Sequence, residues 1–77
     1  MTLQETIQKI KSRLQYGDLR AICETAGYST STFYSACKRS DWPELKDGEI
    51  AVINKAIEYF AGKDKEREYV KENAANL

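Results

Sequence analysis

Two short helical patterns separated by a glycine occupy residues 18–39, DLRAICETAGYSTSTFYSACKR. Apolar residues recur every three or four positions over residues 19–26, and Asp18 before them is a typical N-cap residue. Ser29 is a typical N-cap for the second helix. We therefore predict two short helices joined by a tight turn at Gly27, a residue suited to the positive φ of such a turn.

Two helices with so short a connection can cross at about a right angle only if their backbones approach closely. The position four residues before Gly27 must then hold a small side chain, and it is Cys23. Core-facing residues also fall where such a pair needs them: Ile22, Ala26, Tyr28, Phe33 and Ala36. The segment therefore predicts a helix-turn-helix.

The segment 19–38 resembles the helix-turn-helix of bacterial and phage transcription regulators. Its stretch AGYSTSTFY, residues 26–34, is similar to the turn and recognition helix of the tetracycline-repressor family. In that family this stretch lies in the DNA major groove, with the tyrosine near a phosphate. The other residues depart from that family, because the segment before the motif is shorter and no long ligand-binding domain follows. Size and layout look more like small repressors of the Cro type, which have helices packed after the motif.

The resemblance implies that the helix 29–39 enters the major groove of double-stranded DNA. Small hydroxyl side chains allow a close approach and can bond to phosphates or base edges. Lys38 and Arg39 suit phosphate or guanine contacts, and Arg20 near the start of the preceding helix could hold the DNA backbone. Thr32 could instead close the first turn of its own helix. The predicted DNA-binding residues are Arg20, Ser29, Thr30, Ser31, Thr32, Tyr34, Ser35, Lys38 and Arg39.

Helical patterns also flank this segment. The capping-box sequence TLQE at 2–5 predicts a helix whose apolar stripe comprises Leu3, Ile7, Ile10 and Leu14. Residues 40–46 predict a loop in which Trp42 anchors to the core. A further helix is expected from a cap at Asp47 to Ala61, with Gly62 breaking it and Asp64 capping a last helix. The sequence thus predicts an all-α bundle of four to five helices, with a helix-turn-helix domain at 1–61 and a helical extension at 62–77.

The apolar residues of the 47–61 helix cover about half its circumference, which is more than one core contact needs. We expect the stripe of Ile50, Ile53, Ile57 and Phe60 to face the core. The adjoining flank of Val52, Ala56 and Tyr59 predicts a homodimer contact, with the C-terminal helix contributing Val70 and Leu77. The alternative is that the last helix folds back on this flank within one chain.

Charge is distributed unevenly along the chain. The formal net charge is zero and the isoelectric point is near 6.2, which argues mildly against nucleic acid. Residues 1–39, however, hold six basic and three acidic residues, whereas residues 40–77 hold six basic and nine acidic ones. The first segment therefore has a net charge of +3 and the second a net charge of −3. This separation implies two surfaces with different roles.

Catalytic and metal chemistry have little support in this composition. With no histidine and no pair of CxxC motifs, we expect no metal site, no cofactor and no enzyme activity. Cys23 and Cys37 are expected to stay reduced, because nothing signals secretion. No apolar run reaches the length of a membrane span and no signal peptide is recognisable, so a cytoplasmic protein is expected.

These observations leave two functional hypotheses. The first is a sequence-specific DNA-binding protein, a transcriptional regulator such as a repressor, acting as a dimer. The alternative is a helix-turn-helix scaffold that serves as a protein-interaction or DNA-packaging adaptor. Neutral net charge and a recognition helix rich in hydroxyls rather than arginine favour the alternative. The spacing of the N-cap residue, the glycine and the small residue before it favours DNA binding.

Overall fold

Four α-helices and one 3-10 turn form the fold in the computed structural model, which describes all residues from 1 to 77. The order is α1 (Leu3–Arg13), α2 (Asp18–Ala26), α3 (Thr30–Cys37), the 3-10 turn (Trp42–Glu44) and α4 (Asp47–Ala75). The three short helices pack on α4, and α2 also packs on α3. There is no strand, so the predicted all-α bundle is confirmed. No helix combines the length and the apolar character that crossing a membrane demands.

Local capping signals account for the boundaries of the first two helices. The Thr2 hydroxyl accepts a 3.1 Å hydrogen bond from the Glu5 backbone N–H, as the sequence predicts. Gly27 has a φ of 84° and ends α2. Beyond it, the Tyr28 backbone N–H donates to the Cys23 carbonyl at 2.9 Å, which closes the helix end in the manner of a Schellman motif. The turn at Gly27 is therefore confirmed.

Asp18 was expected to cap α2 and instead is its first helical residue, with Gly17 at the cap position. Its buried carboxylate accepts from the Gln15 backbone N–H at 3.0 Å, the Tyr59 hydroxyl at 2.8 Å and Lys63 Nζ at 3.0 Å. These bonds, led by that of Gln15, hold the pKa of Asp18 below its ordinary value. Asp18 therefore ties the α1–α2 connection to α4.

The hydrophobic core lies between the short helices and the first half of α4. The predicted inner faces of α1, α2 and α3 are confirmed, with Leu14, Leu19, Ala26 and Cys37 partly buried at the edge. Cys23 is buried, and neither cysteine is in a disulfide. The fully enclosed core residues are Leu3, Ile7, Ile10, Ile22, Cys23, Phe33, Ala36, Val52, Ile53, Ala56 and Phe60.

The face of α4 that meets this core differs from the expected one. Val52 and Ala56 are fully buried within the chain, and Tyr59 is half-buried, so the flank predicted for a homodimer belongs to the core. Ile50 and Ile57, which were expected in the core, are half-exposed. Both faces have helical spacing, and the positions of α1, α2 and α3 decide which one is covered.

Trp42 does not anchor the 40–46 loop in the core as predicted. Its side chain is 40% exposed in the 3-10 turn, and its indole N–H makes a long hydrogen bond of 3.4 Å to the Met1 carbonyl. Leu45, three residues later, is the part of this connection that packs against the core.

Gly62 does not break the last helix, and the extension does not fold back on α4. α4 runs without interruption to Ala75, so the molecule measures 49 by 26 by 19 Å. A glycine inside a helix costs about 1 kcal/mol relative to alanine, which does not by itself end a helix. Just after Gly62, the Asp64 carboxylate binds the Arg13 guanidinium through bonds of 2.6 and 3.1 Å. This contact to α1 favours continuation of the helix.

Candidate nucleic-acid interface

One face of α3 packs in the core and the opposite face is exposed. Phe33 and Ala36 are buried, and Thr32 and Cys37 are half-buried beside them. The opposite face has no carboxylate, because α3 contains no acidic residue. It brings together most of the side chains predicted to meet DNA: Ser29, Thr30, Ser31, Tyr34, Ser35 and Lys38, all exposed.

The amino end of α3 starts with two hydroxyls in contact. Ser29 stands at the N-cap position, but its side chain does not cap the helix; its Oγ lies 2.6 Å from that of Ser31. The first turn is closed by the backbone instead, since the Thr32 N–H donates to the Ser29 carbonyl at 3.1 Å. The Thr32 side chain is half-buried and contributes little to the exposed face.

Two adjacent basic residues at the end of α3 have different surroundings. Lys38 is exposed and makes no ion pair. Arg39 turns away to the buried Glu49 on α4, with its Nε 3.1 Å from one carboxylate oxygen and a terminal nitrogen 3.2 Å from the other. Lys38 is therefore available to a ligand, whereas Arg39 joins α3 to α4.

The electrostatics of the Arg39 contact are those of a structural ion pair. The pKa of Glu49 is lowered first by Arg39 and then by the Lys46 backbone N–H, which donates to the carboxylate at 2.8 Å. The same contact raises the pKa of Arg39. The predicted DNA contact at Arg39 would require this pair to open.

A cleft of about 280 Å³ separates α3 from the start of α4. Ser31 and Ser35 line it on the α3 side, and Lys46 lines it on the other. Tyr28 also borders the cleft, and it is exposed rather than in the core as predicted. The Tyr28 ring reaches α4 because residue 48 is glycine: a Cβ there would lie 2.7 Å from the ring.

Sequence reasoning missed Tyr28 and Lys46 as neighbours of the α3 face. The signal that could have found them is Gly48. A glycine inside a helical pattern often marks a position where another group packs closely against the helix. Arg20 lies outside this face on α2, in an exposed i,i+4 pair with Glu24 at 2.9 Å. Such surface pairs are weak, so Arg20 can exchange its partner for a phosphate.

Chemically, this face is suited to hydrogen bonding with an anionic or polar surface. The serine and threonine hydroxyls can donate to phosphate oxygens or accept from base edges, and Lys38 adds one free positive charge. Comparison with protein-family models, with curated proteins and with solved structures finds no significant match to this chain. The α3 face is therefore interpreted from its own geometry.

Proposed function

We propose that this chain is a sequence-specific double-stranded DNA-binding protein, a transcriptional regulator that inserts α3 into the major groove. The observation that carries the proposal is the exposed face of α3, which combines small hydroxyls with one unpaired lysine and has no carboxylate. A helix with this surface can approach the phosphates closely without charge repulsion.

The two ends of α3 have different roles in this proposal. Thr30 and Ser31 read base edges, because the amino-terminal part of a recognition helix points towards the bases. Ser35 lies one helical turn after Ser31 on the same face and reads the bases beside them. Lys38 at the other end contacts phosphate, which fixes position without reading sequence. Tyr34 lies between them and packs edge-on against Phe33, with ring centroids 5.9 Å apart. Arg20 provides an additional phosphate contact from α2.

Three further elements belong to the same proposal. The protein acts as a binding protein without catalysis, and it works in the cytoplasm, where bacterial and phage DNA is found. It binds its operator as a homodimer. Because Val52 and Ala56 are buried within the chain, the surface that joins two copies must lie outside that flank of α4.

A selection from random duplex DNA at low and moderate salt tests the proposal. We expect enrichment of a short sequence, and we expect Ser31→Ala to reduce the preference for that sequence over random DNA by about 1–3 kcal/mol if it removes a base contact. Lys65→Ala, a change of an exposed lysine on the α4 extension, serves as the matched control and should keep the preference. No enrichment at either salt concentration would refute sequence-specific binding.

Charge favours a second candidate function, that of a protein-interaction or DNA-packaging adaptor. The net formal charge is zero, the connection after α3 contains Asp41 and Glu44, and Asp47 begins α4. Carboxylates so close to the end of α3 oppose phosphate binding unless they point away from the DNA. This candidate predicts that Ser31→Ala and Lys38→Ala leave every DNA interaction unchanged.

A further inference from the structure

The cleft between α3 and the start of α4 borders the residues that are proposed to read bases. Its volume is about 280 Å³, and Ser31 and Ser35 line it on the α3 side. Tyr28, which precedes α3, and Lys46, which precedes α4, lie around the rest of it. The cleft is therefore continuous with the exposed face of α3.

Lys46 supplies the one unpaired charge of this cleft. It is exposed and makes no ion pair. The other charged residues of the lining, Arg39 and Glu49, bind each other at 3.1 Å, and the Glu49 side chain is only 4% exposed. Two cations and one anion give the lining a net charge of +1. Because its only carboxylate is covered and paired, the cleft favours an anion.

Tyr28 adds a hydroxyl whose position is fixed by packing. No side-chain hydrogen bond within the chain uses this hydroxyl, and the residue is 43% exposed. A Cβ on residue 48 would lie 2.7 Å from the ring Cε1 and 3.1 Å from Cζ, the carbon that carries the hydroxyl. Gly48 therefore lets the hydroxyl end of the ring rest on the first turn of α4. A donor held in place in this way loses little conformational freedom when it binds a ligand.

We propose that this cleft binds a backbone phosphate of double-stranded DNA, with the Lys46 ammonium and the Tyr28 hydroxyl donating to its oxygens. The inference rests on the proposed insertion of α3 into the major groove. That groove is about 12 Å wide, and a helix with its side chains is about 10–12 Å across. Groups directly beside an inserted helix therefore meet the phosphates that border the groove. Lys46 and Tyr28 are the groups in that place with side-chain donors to spare.

This phosphate is separate from the one assigned to Lys38. Lys38 follows the carboxyl end of α3, whereas Tyr28 and Lys46 belong to the segments before α3 and before α4. Two phosphate contacts from different parts of the fold limit the rotation of α3 about its own axis. They fix the orientation of Ser31 and Ser35 in the groove without reading sequence themselves.

Fluorescence anisotropy over a salt series tests the charged contact, using both the enriched duplex and a random one. Lys46→Ala should weaken binding to both duplexes alike and reduce the slope of log affinity against log salt by about 0.9. The double variant Lys38→Ala/Lys46→Ala should reduce it by about 1.8, since two phosphates are involved. Lys65→Ala is the matched control and should keep the wild-type slope. A Lys46→Ala slope equal to that of the wild type, or an equal loss in Lys65→Ala, would overturn the proposal.

Tyr28→Phe tests the hydroxyl alone, because the ring that packs on Gly48 is retained. The variant should bind both duplexes about two- to tenfold more weakly, as expected for one lost hydrogen bond. Its salt slope should equal that of the wild type, because a neutral group releases no counterion. Tyr69→Phe, at a tyrosine that is 65% exposed on the α4 extension, is the matched control and should bind as the wild type does. Circular dichroism verifies that all variants fold. Unchanged affinity of Tyr28→Phe would contradict the role of the hydroxyl.

Neutral methylphosphonate groups, placed one at a time along the enriched duplex, locate the phosphate. One position should weaken binding of the wild type and of Lys38→Ala but have no effect on Lys46→Ala, which has already lost that contact. If no position behaves in this way, the cleft holds no backbone phosphate. Failure of the cleft and failure of the proposed function are distinguishable. A wild type that binds no duplex refutes both, whereas a wild type whose sequence preference depends on Ser31 but not on Lys46 or Tyr28 refutes the cleft alone.

Discussion

Replacing Arg39 with alanine should destabilise the fold far more than the same change at the neighbouring Lys38. The two residues are adjacent and both were expected to contact DNA. In the structure, Lys38 is exposed, whereas Arg39 forms an ion pair with Glu49, whose side chain is only 4% exposed. Arg39→Ala would leave a buried carboxylate without its cation.

The size of the effect follows from the surroundings of the pair. Removing one partner of a buried ion pair costs about 3–5 kcal/mol. Two features reduce the cost here: the Arg39 side chain is 31% exposed, and the Lys46 backbone N–H continues to donate to Glu49 at 2.8 Å. We therefore expect Arg39→Ala to lower the free energy of unfolding by about 2–3 kcal/mol. Lys38→Ala should lower it by less than about 0.5 kcal/mol.

Thermal and urea unfolding followed by circular dichroism measure this difference. In a domain of this size, a change of about 1 kcal/mol in the free energy of unfolding shifts Tm by about 4–8 °C. Arg39→Ala should therefore melt about 10–20 °C below the wild type. Lys38→Ala should melt within about 4 °C of it. Equal melting temperatures for wild type and Arg39→Ala would refute the structural role of the pair.

The dependence on pH provides a second check on the same pair. The pKa of Glu49 is lowered in the folded state from an ordinary value of 4.5, so its stabilising contribution is fully present above that value. The contribution is lost as the pH falls through the lower pKa of the folded state. The difference in stability between wild type and Arg39→Ala should therefore be full at neutral pH and shrink as the pH falls below about 4.5.

Other substitutions test the fold at single positions by the same unfolding measurements. Gly62→Ala should stabilise the protein by about 0.5–1 kcal/mol, because Gly62 is helical and an added Cβ meets nothing within 4 Å; a destabilised variant would argue against an unbroken α4. Gly48→Ala should gain less than Gly62→Ala, since its Cβ displaces the Tyr28 ring. Cys23→Phe should lower the free energy of unfolding by about 1–3 kcal/mol or more, because the larger side chain overpacks the core. Cys23→Ala is the control that retains a small side chain. Equal Tm values for wild type and Cys23→Phe would remove the close-packing argument. Asp18→Asn should lower stability at neutral pH but not below the lowered pKa of Asp18, and a loss that persists in acid would contradict the role of its charge.

Local signals made the short helices predictable from the sequence. The Thr2 cap and the turn at Gly27 depend on residues close in sequence, and the structure places α1, α2 and α3 within a few residues of the expected bounds. The hydroxyl face of α3 was predictable for the same reason, because burial of Phe33 and Ala36 fixes the opposite face by helical geometry.

Contacts between distant residues decided what the sequence left open. Two overlapping apolar faces of α4 satisfy the same spacing, and only the packing of the other helices selects Val52 and Ala56 for the core. Continuation of α4 beyond Gly62 is favoured by the contact of Asp64 with Arg13, 51 residues away in sequence. Arg39 was expected at the interface because its partner, Glu49, could not be identified from spacing alone.

Salt-dependent DNA binding by Lys38→Ala tests the central claim most directly. Fluorescence anisotropy with the enriched duplex, measured over a salt series, gives the slope of log affinity against log salt for the wild type and two variants. If α3 lies on DNA, Lys38→Ala should weaken binding to preferred and random duplexes alike and reduce the slope by about 0.9. Lys65→Ala, with its lysine on the α4 extension, should bind as the wild type does. A wild type that binds no duplex at low salt, or a Lys65→Ala that loses as much as Lys38→Ala, would contradict the account.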